Sequence, residues 1–212
     1  MGERGSRKAQ TRRQIEQILI YEGQFLKRGI ALACIDEAGR GSLAGPVVAG
    51  AILVDNVDVF FNDECAIIKG DSKKLREKER FLAFDIIKKY FKYSTGYASH
   101  QEIDDIGILK ATKLAMKRAL EKLKGFDIVL SDFINLEDYE TVAITKGDEK
   151  SFCIRLASLV AKATRDSMMI EYSKRYPFRF DKHKGYGTKE HLEEIKTFGL
   201  SDIHRRSFCY NI

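Results

Sequence analysis

The sequence predicts an α/β protein in which a mixed central β-sheet is flanked by helices and followed by a helical C-terminal segment. Apolar runs typical of buried strands alternate with segments whose apolar residues recur at helical spacing. The first two strand-like runs follow each other across a glycine-rich turn, which predicts a hairpin-like pair. The hydrophobic and charged fractions, 44% and 32%, are those of an ordinary globular protein.

The first half of the chain contains two predicted helices and three predicted strands. Helical spacing of apolar residues indicates a leading helix over about 12–26. Six consecutive apolar residues predict a buried strand over about 30–36, and a second apolar run predicts its partner over about 46–54. Helical spacing returns over about 75–90, and the run Lys-Tyr-Ser-Thr-Gly-Tyr-Ala over 92–98 indicates a third strand.

The second half continues the alternation. A helix is predicted over about 108–123, followed by an apolar strand over 126–131 that finishes in an acid. Another strand is predicted over about 141–145, and a long helix over about 149–172. A short helix over 188–198 precedes a basic tail.

Length and charge suit one basic domain. The 212 residues predict a flexible basic N-terminus over 1–11 and a single domain over 12–212. Lys and Arg number 37 against 31 Asp and Glu, which gives a net charge of +6. A basic protein favours polyanionic partners, but this excess is compatible with nucleic acid without requiring it.

Composition disfavours several kinds of site and location. The cysteines show no paired spacing, and we expect Cys34 and Cys153 to be reduced core residues. The histidines are too widely spaced for a His-x-x-His zinc pair. The basic N-terminus lacks the apolar stretch of a signal peptide, and no apolar run approaches the ~20 residues that span a membrane. We therefore expect a cytoplasmic protein without a membrane partner, monomeric by default.

The most informative motif is the run 30–46, in which a buried strand ends in Asp36 and Glu37 and a Gly-Arg-Gly tripeptide follows. In a regular strand these two side chains point to opposite sides. Two anions at the mouth of a buried strand are costly unless a cation meets them, and a divalent metal is the simplest candidate. The alternative is a strand that ends in an ordinary polar turn.

A third acid, Asp132, ends its apolar strand in the way that Asp36 ends the first. If the two strands are neighbours, three carboxylates converge at one edge of the sheet. Asp132 is equally well explained as the residue that opens a turn. The sequence leaves both interpretations open.

Two further acids compete for a fourth place, and helix geometry favours Asp148 over Asp166. Both project onto the inward stripe of the helix predicted over 149–172. Eighteen residues of helix place them about 27 Å apart, so they cannot share one cluster. Asp148 lies at the helix start, where the helix dipole favours an acid. Asp166 is assigned a supporting contact, with Arg206 as a candidate partner.

The chemistry of these acids predicts a metal-dependent hydrolase. Oxygen-only ligands favour Mg²⁺ or Mn²⁺ over zinc. Two such ions about 3.5–4 Å apart can activate a water and stabilise the leaving oxygen of a phosphodiester. The predicted ligands are Asp36, Glu37, Asp132 and Asp148.

Seven stretches of the chain resemble bacterial ribonuclease HII, the type 2 ribonuclease H. They occur in the expected order and together cover about residues 28–208. The stretches are Asp36-Glu-Ala-Gly-Arg-Gly-Ser-Leu-Ala-Gly-Pro-Val-Val-Ala49, Asp71-Ser-Lys-Lys-Leu75, Lys146-Gly-Asp148, Ala157-Ser-Leu-Val-Ala-Lys-Ala-Thr-Arg-Asp166, His183-Lys-Gly-Tyr-Gly-Thr188, Lys189-Glu-His191 and His204-Arg-Arg-Ser-Phe208.

The resemblance implies a ribonuclease H-like fold and metal-dependent endonuclease action on the RNA strand of RNA–DNA hybrids. It also implies cutting on the 5′ side of a single ribonucleotide embedded in duplex DNA, which leaves 3′-hydroxyl and 5′-phosphate ends and removes ribonucleotides in replication and repair. The family's four acids fall on Asp36, Glu37, Asp132 and Asp148. Asp166 matches a position that is usually a supporting one.

Substrate contacts carry over in the same way. The resemblance implies that the backbone of Gly39-Arg40-Gly41 reads the ribose 2′-hydroxyl. Tyr186 corresponds to a tyrosine that packs on the following deoxyribose and senses an RNA-to-DNA junction. Contacts with backbone phosphates, which position a duplex without reading its sequence, fall on Ser72, Lys73, Lys162 and Lys184.

The chain also departs from the family pattern. Asp132 is followed by Phe133 where the family usually has glycine, and Ser42 replaces the commoner proline after Gly-Arg-Gly. We expect no platform domain before Arg12, which argues against ribonuclease HIII, and no long clamp-binding tail after Ile212.

Two other functions remain alternatives. One is a non-catalytic nucleic-acid-binding module of the same fold, which the altered loop after Asp132 favours and the intact set of acids disfavours. The other is a superfamily nuclease that acts on a DNA junction, which Gly-Arg-Gly and Tyr186 disfavour because both suit a ribose-specific site.

Overall fold

The computed structural model describes residues 20–56, 59 and 76–210, which form one five-stranded sheet with helices on both faces. The helices are α1 (Ile20–Leu26), α2 (Glu77–Tyr90), α3 (His100–Ile106), α4 (Ile108–Leu120), α5 (Gly147–Lys150), α6 (Phe152–Ser173), α7 (Phe180–His183) and α8 (Lys189–Phe198). The strands are β1 (Leu32–Ala38), β2 (Val47–Val54), β3 (Lys92–Ala98), β4 (Ile128–Asp132) and β5 (Thr141–Ile144). A short 3₁₀ helix, Arg206–Phe208, follows α8.

The sheet is mixed, as predicted, with the strand order β3-β2-β1-β4-β5. β1 pairs antiparallel with β2 and parallel with β4, and β4 pairs parallel with β5. Ile35 of β1 lies opposite Ser131 of β4, so the next residues, Asp36 and Asp132, come to the same edge of the sheet. The neighbouring strands that the sequence left open are therefore confirmed.

The two faces of the sheet carry separate apolar cores because side chains alternate along each strand. Leu32 and Cys34 face α2 and α6, whereas Ala33 and Ile35 face α3 and α4. Cys34 and Cys153 are buried and free, as predicted for reduced core residues. Cys65 lies outside the described residues.

The described part of the leading helix, α1, is anchored by a buried acid. Glu22 is fully buried, and its carboxylate accepts hydrogen bonds from the Ser151 hydroxyl at 2.5 Å and the Cys153 amide at 2.9 Å. These donors lie at the start of α6, where backbone amides lack partners within the helix and the dipole favours a negative charge. Residues 12–19 of the predicted helix, like the N-terminal 1–11, lie outside the described residues.

The predicted long helix over 149–172 is wrong at its start. Ser151 has an extended backbone, with φ −107° and ψ 124°, and its hydroxyl accepts from the amide of Ile154 at 3.1 Å. This N-cap begins α6 at Phe152 and separates it from the single turn α5. The capping serine was visible in the sequence, but helical periodicity alone passes over it.

Helices α3 and α7 were not predicted from the sequence. The signal for α3 is the capping box in which Ser99 accepts from the Glu102 amide while Glu102 accepts from the Ser99 amide. The four-residue α7 is too short to show periodicity, so it is defined by its packing among C-terminal aromatic residues.

Candidate active site

The four predicted acids lie around the carboxyl ends of β1 and β4. β1 continues to Ala38, two residues past the predicted end at about residue 36, so Asp36 and Glu37 lie inside the strand rather than at its end. Asp36 is 5% exposed and Glu37 is half-buried. Asp132 is the last residue of β4.

Burial makes the charged forms of Asp36 and Glu37 unfavourable. Desolvation, and next the neighbouring Glu37 carboxylate, raise the pKa of Asp36 to about 7, although the Glu37 amide donates a 2.8 Å hydrogen bond to Asp36 Oδ1. Burial also raises the pKa of Glu37 above its ordinary value, against the opposing effect of Arg40 at 3.3 Å. The charge of Asp132 adds to both shifts. The edge therefore holds more negative charge than its nearby cation compensates.

Asp148 is placed beside Asp132 by its neighbour Gly147. The Gly147 amide donates a 2.8 Å hydrogen bond to Asp132 Oδ1. A Cβ on Gly147 would lie 2.8 Å from the end of the Ile154 side chain and 3.2 Å from the Asp132 Cα, so a larger residue would require both neighbours to shift. Asp148 is 9% exposed and belongs to α5. Its position thus depends on a contact with β4, and not on the start of a long helix as predicted.

Asp166 makes a supporting contact, but its predicted partner was wrong. Its carboxylate accepts a 2.8 Å hydrogen bond from Arg80 of α2, which packs beside α6. The proposed partner Arg206 is held elsewhere, because its amide donates to Asp104 at 2.9 Å. The pairing follows from the packing of two helices, which sequence spacing does not reveal.

The carboxylate oxygens of the four acids are suitable ligands for a divalent cation, although the side chains do not form a complete coordination site. Glu37 Oε2 is buried and has no hydrogen-bond partner among the described residues, which is costly unless a ligand meets it. Carboxylate oxygens are the ligands of Mg²⁺ and Mn²⁺. Within the described ranges, no three His, Cys, Asp or Glu side chains are grouped closely enough to hold an ion.

The loop after β1, residues 39–46, is fixed by hydrogen bonds from the buried side chain of Arg165 in α6. This arginine is 1% exposed and donates to the carbonyls of Pro46 at 3.0 Å, Lys184 at 2.9 Å and Ala44 at 3.1 Å. It also donates to the Ser42 hydroxyl at 2.7 Å, which in turn donates to the Gly39 carbonyl at 2.9 Å. The serine that departs from the family pattern is thus part of this support, in a role that proline has no hydroxyl to fill.

A second buried arginine, Arg205, holds the same loop from another side. It is fully buried and donates to the carbonyls of Gly39 at 2.7 Å, Arg40 at 2.9 Å and Gly45 at 2.9 Å. Burial, and next the neighbouring Arg165, lower the pKa of Arg205 to about 9. Neither arginine was predicted from the sequence as a site residue, although each stands in a stretch that carries the family resemblance.

Tyr186 is joined to this loop through both backbone and side chain. Ser42 and Tyr186 form an isolated antiparallel bridge, and the Leu43 amide donates to the Gly185 carbonyl at 2.8 Å. The Arg165 guanidinium lies 5.2 Å from the centre of the Tyr186 ring. Tyr186 is 42% exposed, so part of its surface is available to a ligand.

Three buried histidines, His183, His191 and His204, pack together behind Tyr186, although they are widely spaced in the sequence. The rings of His183 and His191 are stacked with centres 4.1 Å apart, and His191 Nε2 lies 3.0 Å from His204 Nε2. His191 Nδ1 lies 3.0 Å from the Tyr186 carbonyl oxygen, which links the histidines to the loop. Burial, and next a neighbouring histidine, lower the pKa values of His191 and His204 to about 4.

The predicted phosphate contacts differ in availability. Ser72 and Lys73 lie outside the described residues. The Lys184 ammonium is buried, donating to the Asp181 carbonyl at 2.7 Å and lying 3.4 Å from Glu77. Lys162 is half-buried, and its side chain forms no hydrogen bond or ion pair with the described residues. The Lys184 ammonium is thus engaged within the protein, whereas none of the described residues engages that of Lys162.

In the described part of the chain, no helix combines the length and apolar character needed to cross a membrane.

Comparison with known proteins identifies the family. A family model described as Ribonuclease HII matches residues 33–211. The ribonuclease HII of Aquifex aeolicus is 46% identical over 194 residues, which cover 90% of this chain and 96% of that protein.

Solved structures of related proteins have the same fold. The ribonuclease H2 of Pyrococcus horikoshii superposes with a TM-score of 0.66 at 25% identity, covering 84% of this chain and 93% of that one. The PCNA:RNase HII complex from Archaeoglobus fulgidus gives 0.69 at 22% identity, covering 85% and 95%, and so supports the ribonuclease H-like fold. The protein is a ribonuclease H enzyme, and its chain belongs to the ribonuclease HII family.

Proposed function

We propose that this enzyme hydrolyses the RNA strand of RNA–DNA hybrids. It also cuts on the 5′ side of a single ribonucleotide embedded in duplex DNA and leaves 3′-hydroxyl and 5′-phosphate ends. The observation that carries the proposal is the rigid connection between the carboxylate edge, the Gly39-Arg40-Gly41 loop and Tyr186. Asp36 lies near the end of β1, just before the loop, and Arg165 contacts both the loop and the tyrosine.

The loop is suited to recognise a ribose. Its carbonyls at Gly39 and Arg40 are turned inward and accept from Arg205. The amides of Arg40 and Gly41 donate to none of the described residues, and both residues are exposed. These free amides can donate to a ribose 2′-hydroxyl oxygen, a group that deoxyribose lacks. The hydrogen bonds of the loop thus favour discrimination between RNA and DNA.

The acids supply the metal-binding part of the proposal. Asp36, Glu37, Asp132 and Asp148 would hold Mg²⁺ or Mn²⁺. When bound, such ions activate a water and stabilise the leaving oxygen of a phosphodiester. The raised pKa of Asp36 and the unpartnered Oε2 of Glu37 are the features of this edge that a cation would relieve.

Tyr186 and Lys162 would position the duplex. The exposed face of the tyrosine would pack on the deoxyribose that follows the ribonucleotide, with Arg165 behind the ring. The Lys162 ammonium would meet a backbone phosphate, a contact that orients a duplex without reading its sequence. The net charge of +6 favours approach to a polyanion.

One assay tests the proposal against its alternatives. The substrates are a duplex with one embedded ribonucleotide, an RNA–DNA hybrid and an all-DNA duplex, each with Mg²⁺, Mn²⁺ or EDTA. Cutting of the first two with either metal, on the 5′ side of the single ribonucleotide and not with EDTA, supports the proposal. Cutting of the all-DNA duplex would indicate a DNA nuclease. Binding without cutting would indicate a non-catalytic module, the alternative favoured by Phe133 after Asp132.

A further inference from the structure

Phe133, which directly follows Asp132, combines two unfavourable features. Its side chain is 69% exposed. Its φ is +62°, in the left-handed region where a side chain clashes with its own backbone and glycine does not. Bulky residues in this conformation are rare, and such strain concentrates at functional sites. Phe133 therefore requires an explanation other than stability.

The surrounding contacts impose this conformation. The Ile134 amide donates to the Asp132 carbonyl at 2.7 Å and closes a three-residue turn around Phe133. Ile134 is 3% exposed, and its carbonyl accepts from the Ser131 hydroxyl. The Phe133 amide donates to Ile144 of β5 at 3.2 Å. The chain on both sides is thus fixed, and the turn directs the aromatic side chain outward beside Asp132.

The Phe133 ring makes no stabilising contact that the described residues show. Among the described residues it makes no aromatic or cation–π contact, and it belongs to none of the three apolar clusters. Glycine would adopt the same φ without strain and would expose no apolar surface. Packing among the described residues therefore does not account for a phenylalanine at this position.

The loop after β5 adds a cation close by. Asp132 lies opposite Ile144 in the sheet, and Lys146 follows two residues later. Lys146 is exposed, also has a left-handed backbone with φ +57°, and makes no ion pair with the described residues. An aromatic ring and an ammonium therefore flank the acids on the β4–β5 side. This combination suits the sugars, bases and phosphates of a nucleic acid strand.

We propose that Phe133 is a substrate-contacting residue whose ring packs against the apolar face of a nucleotide, on the side of the acids away from Tyr186. The inference rests on the proposed function and extends it. Tyr186 is attached to the loop after β1, whereas Phe133 follows β4, so the two aromatic residues would contact different parts of the duplex. Lys146 would meet a phosphate of the same strand.

The test compares Phe133→Gly with Phe133→Tyr. Affinity is measured by fluorescence anisotropy on a labelled duplex with one embedded ribonucleotide, in EDTA so that no cutting occurs. Phe133→Gly should melt no lower than the parent, because the strain is removed, and should bind about five- to tenfold more weakly, the effect of losing one aromatic contact. Phe133→Tyr keeps the ring and should bind within about twofold of the parent.

The control is Tyr97→Ala, which removes another exposed aromatic from β3, a strand separated from β4 by β2 and β1. This variant should bind as the parent does. With Mg²⁺ or Mn²⁺, the loss in Phe133→Gly should fall mainly on KM. Unchanged affinity in Phe133→Gly, or equal losses in Phe133→Gly and Tyr97→Ala, would overturn the inference.

The two proposals can fail separately. A parent protein that binds the duplex but does not cut it would overturn the proposed hydrolysis, while the affinity series would still decide the role of Phe133. A parent that binds no duplex in EDTA would overturn the role of Phe133. A parent that cuts, with Phe133→Gly binding equally well, would leave the proposed function supported and reject the contact.

Discussion

Arg165 occupies the space that a side chain on Gly39 would need. A Cβ built on Gly39 would lie 2.0 Å from Arg165 Nε, and Gly39 has φ +92°. The buried guanidinium also holds the carbonyls of Ala44, Pro46 and Lys184. Gly39, the first glycine of the Gly-Arg-Gly tripeptide, is therefore required because Arg165 fills the space of a side chain there. This requirement does not depend on which ligand the loop binds.

Replacing Gly39 by Ala should destabilise the protein and reduce cleavage. The clash displaces a buried arginine, and the backbone conformation is strained for alanine, so we expect a loss of about 2 kcal/mol or more in the free energy of unfolding. For a chain of this size, thermal unfolding should shift down by about 4–8 °C.

Gly41→Ala is the matched control, because a Cβ there meets nothing within 4 Å. It should melt within about 1 °C of the parent. Equal melting temperatures for the two variants would contradict the steric argument.

Replacing Asp36 or Asp132 by Asn should abolish hydrolysis and leave the fold intact. Each change removes a proposed metal ligand, and in Asp132→Asn the side-chain amide oxygen can still accept from the Gly147 amide. Activity on the embedded ribonucleotide and circular dichroism are the measurements, with Asp138→Asn as an exposed-acid control. Full activity in either variant would remove that acid from the site.

Asp36→Asn should also stabilise the metal-free protein. The pKa of Asp36 is raised from 3.8 to about 7, so the folded state holds its proton more tightly and loses stability as the pH rises between these values. This shift corresponds to a loss of roughly 4 kcal/mol in the free energy of unfolding at pH 8. A neutral Asn side chain does not carry this cost. Thermal unfolding in EDTA at pH 8 checks this, and a variant that melts below the parent would contradict it.

Replacing Tyr186 by Ala should reduce cutting at a single ribonucleotide more than cutting of a long hybrid. The exposed ring is proposed to contact the deoxyribose after the ribonucleotide, a residue that a continuous RNA strand does not offer. We expect the ratio of kcat/KM values on the two substrates to fall about tenfold, in the range of one lost aromatic contact. Tyr186→Phe should keep most of the preference, and an unchanged ratio in Tyr186→Ala would argue against the junction role.

The buried histidines predict acid sensitivity. The pKa values of His191 and His204 are lowered to about 4, so below pH 6.5 the unfolded state binds protons that the folded state does not. Their contribution to stability is therefore full above about pH 6.5 and is lost as the pH falls toward 4. At pH 5 we expect a loss of about 2 kcal/mol for one such histidine.

Because Asp36 shifts stability with the opposite sign over the same range, the experiment uses the Asp36→Asn background. Melting temperatures at pH 7.5, 6 and 5 should fall more steeply for that protein than for the same protein with His204→Gln. Parallel profiles would contradict the assignment.

Periodicity and strand-end chemistry were enough to predict much of the fold. Alternating strand and helix patterns predicted the α/β class and the five strands, because each depends on local side-chain order. Whether β1 and β4 are neighbours was left open by the sequence and is decided by their parallel pairing in the sheet. The resemblance then supplied the family. The N-capping residues Ser99 and Ser151 could also have been identified from the sequence, although hydrophobic periodicity alone does not reveal them.

Contacts between segments that are distant in the sequence could not be predicted from it. Asp166 pairs with Arg80 across 86 residues, and Asp148 reaches Asp132 through a hydrogen bond from Gly147. Arg165 acquires its role only when α6 brings it beneath the loop after β1. In the same way, the sequence marked Phe133 as unusual, but its positive φ and outward ring arise from hydrogen bonds made by its neighbours. Local order specifies which chemical groups are present, whereas packing over long sequence separations specifies which of them meet.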